Sequence, residues 1–183
     1  MNYAEIKARD IANGPGVRVS LFVSGCTHKC KGCFNEVAWD FDYGQPFTDH
    51  TIAYILELLR PEHIRGLTLL GGEPFEPQNQ PAVVQLLRAI RKEMPEKSIW
   101  AFSGYLFERD LLSGRIGQPE VVKEYLSLVD VLVDGPFILS RKDLSLRFRG
   151  SDNQRIIDVQ ASLRTGRTVL WQDWQGDGKG IKV

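Results

Sequence analysis

Cys26, Cys30 and Cys33 are the only cysteines of the chain, and they stand on one short segment in a C-x3-C-x2-C spacing. Thiolates are strong ligands for zinc and for iron–sulfur clusters. Three of them leave a four-coordinate site one ligand short. A four-iron cubane held by three thiolates exposes one iron to a small molecule. A catalytic zinc also takes three protein ligands and keeps an open position. His28 lies between the first two cysteines and could be recruited. Its position, two residues from each neighbour, favours a side chain turned away from a shared metal, towards solvent or in support of the ligands. Three reduced structural thiols are the remaining reading. An odd number of closely spaced cysteines makes no disulfide framework. Such a cluster fits a reducing compartment, where it signals metal binding or catalysis.

The bulk composition narrows the partners. With 183 residues, 43% hydrophobic and 25% charged, the chain reads as a single domain, 1–183, able to bury a core. Its formal net charge is zero, which argues against a general binder of nucleic acid or of a membrane surface. The start, MNYAEIKARD, is too polar for a signal peptide, and no apolar run approaches the ~18–20 residues that span a bilayer. A cytoplasmic location is expected.

The cysteines need a scaffold, and the patterning supplies one. Val17 to Ser24 reads as a buried strand that runs directly into the cysteine segment. Thr48 to Leu59 has helical spacing of Ile52, Ile55, Leu56 and Leu59, with Thr48 as N-cap and Pro61 beyond the end. Leu67 to Leu70 reads as a strand entering Gly71-Gly72, and Gln80 to Lys92 as a helix. Ser98 to Phe102 is the next strand, Pro119 to Leu128 a helix, Val129 to Val133 a strand, and Ile156 to Val159 one more. Strands alternating with helices imply a parallel sheet with helices outside. Four strands end in glycine turns: Ser24-Gly25, Gly71-Gly72, Ser103-Gly104 and Asp134-Gly135. Parallel α/β folds place their sites at such strand ends, so the four turns predict one shared rim. The chain is short for a closed eight-fold barrel, which takes about 250 residues. An α/β fold with a partial, open parallel β/α barrel is the expectation. The tail from Gln172 to Val183 is rich in glycine and polar residues and reads as flexible at its end.

In ordered combination these segments resemble a known family. GCTHKCKGCFN (Gly25 to Asn35) is similar to the cluster loop of radical S-adenosylmethionine (SAM) enzymes, and within them to the activating proteins of anaerobic ribonucleotide reductase. NGPGVR (Asn13 to Arg18) resembles the entry segment of glycyl-radical activases, and Gly71-Gly72-Glu73-Pro74 resembles the GGE motif of the superfamily. Ser103-Gly104-Tyr105, DVLVDGPF (Asp130 to Phe137), Arg149-Gly150-Ser151 and Asn153-Gln154-Arg155 are similar to the reductase activases more narrowly. The similarity runs from about Asn2 to Val159.

The resemblance implies an open barrel of the radical SAM type, with a [4Fe-4S] cluster on Cys26, Cys30 and Cys33. It implies SAM on the open iron, bound through its amino and carboxylate groups. Gly71 and Gly72 lack side chains, so backbone groups can approach the amino-acid part of SAM. Glu73 can accept from an ammonium or fix the loop. Gly32, Cys33 and Phe34 would flank the adenine, although many superfamily members carry an aromatic residue where Gly32 stands. Ser103 and Asp134 are further candidate cofactor contacts at strand ends. Arg18 could meet a carboxylate or the cluster's charge, or serve a structural ion pair. His50 and His63 read as surface residues, and Trp171 with Trp174 as tail packing.

The implied activity is reductive cleavage of SAM. The resulting 5′-deoxyadenosyl radical would abstract hydrogen from the α-carbon of a glycine in an anaerobic ribonucleotide reductase. A glycyl radical is stabilised by its flanking amides, and no Cβ obstructs a planar centre. The sequence offers no obvious Ser–His or His–carboxylate constellation for acid–base work, which such chemistry does not need. A small flavin protein such as flavodoxin is the implied reductant. The alternatives are an activase of another glycyl-radical enzyme, such as pyruvate formate-lyase, and two readings of a different class, a non-catalytic iron–sulfur carrier or a zinc protein.

Overall fold

The computed structural model describes residues 1–172. In chain order the regular elements are β1 (Asn2–Asp10), β2 (Val17–Val23), β3 (Gln45–Pro46), α1 (Asp49–Leu59), β4 (Ile64–Gly71) and α2 (Gln80–Glu93). They continue with β5 (Ser98–Phe102), α3 (Pro119–Leu128), β6 (Val131–Asp134), β7 (Arg155–Asp158) and α4 (Val159–Thr165). The strands form one open seven-stranded sheet in the order β3-β1-β2-β4-β5-β6-β7. The central pairs β2–β4, β4–β5 and β5–β6 are parallel. β1, β3 and β7 pair antiparallel at the two sides.

The parallel centre follows from the sequence. β2 and β4 are buried on both faces, as central strands of a covered sheet are; Val19, Leu21 and Val23 make one face of β2 apolar, while the other buries Arg18 and Ser20 beside Phe22. α1 starts after Thr48, whose backbone N–H donates to Thr51 Oγ1 at 3.1 Å, and buries Ile52, Ile55, Leu56 and Leu59. α2 and α3 each open with a proline in the first turn, where no N–H is missed. Their apolar stripes meet Leu21, Leu67, Leu69, Ile99 and Leu132 of the sheet in the main core.

Two expectations change here. The sheet is mixed rather than wholly parallel, and the segment read only as a polar start is a strand. β1 is legible in retrospect: Glu5, Lys7 and Arg9 are exposed while Ala4, Ile6 and Ala8 between them are partly covered. That is the period of a one-sided strand, muted because two of its inward residues are alanines. β6 begins two residues later than the apolar run, because Val129 caps α3 and its N–H bonds to Leu126 O at 3.3 Å.

Side chains of the opposite sheet parity face away from the main helices. There Trp100, Val131 and Val133 pack with Phe102, Phe148 and Trp171. Arg18 lies beside them at 0% exposure. It donates to Thr68 Oγ1 at 2.7 Å, Leu67 O at 2.7 Å, Ser98 Oγ at 2.9 Å and Ser98 O at 2.9 Å. Its partners are therefore neutral oxygens of β4 and β5, not the carboxylate or cluster anticipated from the sequence. Burial pulls its pKa down to about 10, against the pull of Asp130 and Asp10. Trp171 stacks edge-on against Trp100 at 5.0 Å. Trp174 and all but the first residue of the glycine-rich tail lie outside the described residues. Among the described residues, no helix is long and apolar enough to cross a membrane.

Candidate metal centre

β2 delivers the chain into Ser24-Gly25 and then the cysteine loop. The loop is held at its start by the Gly25 N–H on Ala38 O (2.9 Å) and the Cys26 N–H on Trp39 O (3.2 Å). Inside it, Cys33 N–H closes a turn onto Cys30 O at 3.1 Å, and Asn35 N–H points at Cys33 Sγ from 3.4 Å. Lys29 and Gly32 take left-handed backbone conformations, with φ of 46° and 75°. Such turns let a short loop present several side chains to one side.

All three thiols are free, and all three line one cavity of about 410 Å³. That volume is of the size that holds a small molecule. Gly71, Gly72 and Glu73 after β4, Ser103 and Gly104 after β5, and Gly135 after β6 line the same cavity. The glycine turns after β4, β5 and β6 thus meet on one rim, as their strand-end positions predict, while the Ser24-Gly25 turn lies behind it and sends Cys26 forward into the cavity. Leu70 and Phe102 form part of the apolar wall.

Cys26 is buried, and Cys30 and Cys33 are partly covered. Burial pushes the Cys26 thiol up to about 12, with the charge of Glu73 adding to it, and burial raises Cys30 as well. Among the described residues, no three His, Cys, Asp or Glu side chains converge where they could hold one metal ion. Three thiols on one short loop, all bordering one cavity, are a donor set that fits a cubane, in which each cysteine takes its own iron.

Glu73 is 1% exposed and its carboxylate is fully engaged by protein donors. Oε1 accepts from Phe75 N–H (2.9 Å) and Ser103 Oγ (3.0 Å). Oε2 accepts from Gly104 N–H (2.7 Å) and pairs with His28 Nε2 (3.0 Å). Of the two roles open to Glu73, the geometry is that of fixing the loops. His28 is correspondingly not a solvent residue. It joins Glu73 and lies against the Tyr105 ring, with centroids 4.3 Å apart. Burial disfavours its charged form, but the hydrogen bond and charge of Glu73 outweigh this and raise its pKa.

Gly32, Cys33 and Phe34 also line the cavity. Phe34 is 82% exposed, so it borders the opening rather than packing in the core. Asp134 departs from expectation. Its carboxylate accepts from Phe107 N–H (2.9 Å) and from Arg155 Nε (3.0 Å), and it does not line the cavity. Arg155, arriving on the antiparallel strand β7, draws the carboxylate towards itself and leaves the next residue, Gly135, on the rim. His50 and His63 are exposed, as read. Sequence reasoning passed over Lys142 and Arg149 as cavity residues. Arg149 lay within a recognised motif, but nothing local to either residue showed that the loop after β6 folds back to the cavity.

Gly72 is required for more than flexibility. A Cβ there would stand 2.5 Å from Gly25 O and 2.9 Å from Ala38 O, both backbone atoms that set the start of the cysteine loop. Gly72→Ala is expected to cost about 1–3 kcal/mol, the usual range for overpacking. Urea unfolding measures it, and a loss under 0.5 kcal/mol by that measurement (roughly the scatter for neutral surface changes) would show that the loop gives way freely.

A family profile described as "4Fe-4S single cluster domain" matches residues 12–157. Over 156 residues the chain is 45% identical to the anaerobic ribonucleoside-triphosphate reductase-activating protein of Escherichia coli K12, covering 84% of this chain and 96% of that protein. The protein of the same name from Enterobacteria phage T4 is 43% identical over 158 residues, covering 85% and 93%. That from Vibrio cholerae is 42% identical over 159 residues, covering 85% and 97%.

Proposed function

The chain belongs to the family of anaerobic ribonucleoside-triphosphate reductase-activating proteins, and from that premise we propose that it is a radical SAM activase of such a reductase. Cys26, Cys30 and Cys33 would hold the [4Fe-4S] cluster, and the strand-end glycines would receive SAM beside it. The observation that carries this reading is that all three thiols and the glycine turns of β4, β5 and β6 line one cavity.

When bound, the cluster and SAM supply a one-electron cleavage whose carbon radical can take a hydrogen atom from glycine. The chain's own residues position and shield. The backbone at Gly71 and Gly72 lets a ligand lie close to the loop without meeting a side chain. Glu73 ties the ends of β4 and β5 to His28, so the rim and the cysteine loop keep their spacing. Leu70, Phe102 and Phe148 give the cavity an apolar wall, which would limit water around a bound cofactor. The partly open mouth, bordered by Phe34, suits a substrate that is itself a polypeptide segment. No residue needs to move a proton. The electron donor is proposed to be a small flavin protein of the flavodoxin kind, and the compartment a reducing one.

Anaerobic reconstitution with iron and sulfide, followed by electron paramagnetic resonance, tests the proposal. A reduced cluster signal is expected to change on adding SAM, and a glycyl radical is expected to follow when the anaerobic reductase is supplied. A cluster signal indifferent to SAM would end the radical reading.

A further inference from the structure

The segment after β4 does more than line the cavity. Five of its contacts fall in register on the start of the cysteine loop. Gly72 N–H donates to Val23 O at 2.7 Å, and Glu73 N–H donates to Gly25 O at 2.8 Å. Asn79 Nδ2 donates to Ser24 O at 3.0 Å and, from the other side, to Glu73 O at 3.0 Å. Glu73 Oε2 meets His28. The remaining contact is made by Glu76, which is 4% exposed. Its Oε1 accepts from both Thr27 N–H at 2.8 Å and Thr27 Oγ1 at 2.6 Å.

Thr27 is the residue after Cys26. We infer that Glu76 is a positioning residue of the metal centre: it fixes the backbone next to Cys26, and through it the sulfur that would bind one corner of the cluster. The inference rests on the cluster reading above and assigns a task to a residue outside the glycine–glutamate motif. Two facts separate it from ordinary loop packing. Glu76 lies buried, yet both donors to Oε1 come from an exposed threonine on the loop that carries the ligands. The chain thus sinks a carboxylate under a surface turn, and a carboxylate costs free energy to bury unless its hydrogen bonds are met. Partners that orient ligands from behind typically govern about 10–100-fold of metal affinity. A negative group at this position also makes adding an electron to the cluster harder, because net charge near a cluster sets its potential.

Full-length Glu76→Ala, Glu76→Gln and Thr27→Val variants, reconstituted without air beside the parent, test the inference. Iron and sulfide per chain, the rate of cluster loss to a chelator, and the reduction potential are read out, with no need for SAM or the reductase. Glu76→Ala is expected to lose its cluster to the chelator about tenfold faster or more. Glu76→Gln keeps an oxygen that can accept both bonds, so it is expected to retain the cluster while its potential moves in the positive direction. Thr27→Val, a surface change that spares the fold, is expected to speed loss in the same direction but less. Parent-like retention in both Glu76→Ala and Thr27→Val overturns the inference. So does a Glu76→Gln variant that is folded by circular dichroism but as leaky as Glu76→Ala. A parent protein that takes up no cluster overturns the cluster reading first, and this inference with it.

Discussion

Serine at Cys26, Cys30 or Cys33 is expected to abolish glycyl-radical formation in the reductase, not merely to slow it. Each thiolate in a three-cysteine cubane serves its own iron, so no neighbour can substitute for one that is lost. The loop contains no fourth sulfur, since the chain has only these three cysteines. His28, the nearest alternative donor in sequence, is held by Glu73 and packed on Tyr105. A serine hydroxyl is a harder and weaker ligand at this oxidation state than a thiolate. Three measurements separate the outcomes. Iron and sulfide per chain are expected to fall, the SAM-dependent change of the resonance signal to vanish, and radical yield to drop below detection. The three variants differ in how the unloaded protein behaves. Cys26 sits buried at the start of the loop, three residues beyond β2, whereas Cys30 and Cys33 are partly covered farther along it. Cys26→Ser should therefore also lower the stability of the metal-free chain, by burying a hydroxyl where a thiol was, while the other two should not. Undiminished radical formation in any one of the three variants would remove that cysteine from the ligand set.

The same contrast explains what could be read from the sequence. The cysteine spacing is local, so the three thiols that share the cavity were visible without a fold. So was the shared rim, because each of Gly71, Gly104 and Gly135 ends a strand with a strong apolar signature, and parallel strands end on one side. What stayed hidden depends on pairing across the chain. Whether Asp134 faces the cavity is decided by Arg155, which reaches it only because β7 returns antiparallel to β6. Arg18 is a cation in a strand, and its sequence does not say that the oxygens of Leu67, Thr68 and Ser98 will surround it. Glu76 reads as one more acid in a loop until the fold lays that loop along residues 23–28. β1 was missed for a different reason: its period was present, but alanine carries too little apolar weight to declare a buried face.

Arg155→Ala is expected to bring the largest loss of stability, about 3–5 kcal/mol, the usual cost of stranding one member of a buried ion pair. Arg155 donates to Asp134 through Nε (3.0 Å) and Nη2 (2.5 Å), and to Glu108 through Nη1 (3.0 Å) and Nη2 (2.7 Å). The two carboxylates are not equivalent. Asp134 is 0% exposed, and without Arg155 it keeps only the Phe107 N–H. Glu108 is close to half exposed, so its share is at most about 1 kcal/mol after solvent screening. Acid should separate them. The Arg155 guanidinium, with Thr168 also donating, holds the Glu108 carboxyl at about 2, against an ordinary 4.5. A lowered carboxylate contributes stability that is present above its unfolded value and is lost as pH falls through the folded one. The Glu108 contribution is therefore complete above about pH 4.5 and fades towards pH 2, and in Arg155→Ala this limb should flatten. Urea unfolding across that range reads both effects. Combining Arg155→Met with Asp134→Asn should recover much of the loss, because the pair then no longer includes a stranded charge. A single Arg155→Ala variant within 1 kcal/mol of the parent by the same unfolding, roughly a surface effect, would mean that water reaches Asp134. The end of β6 would then be held on the cavity rim by something other than this ion pair.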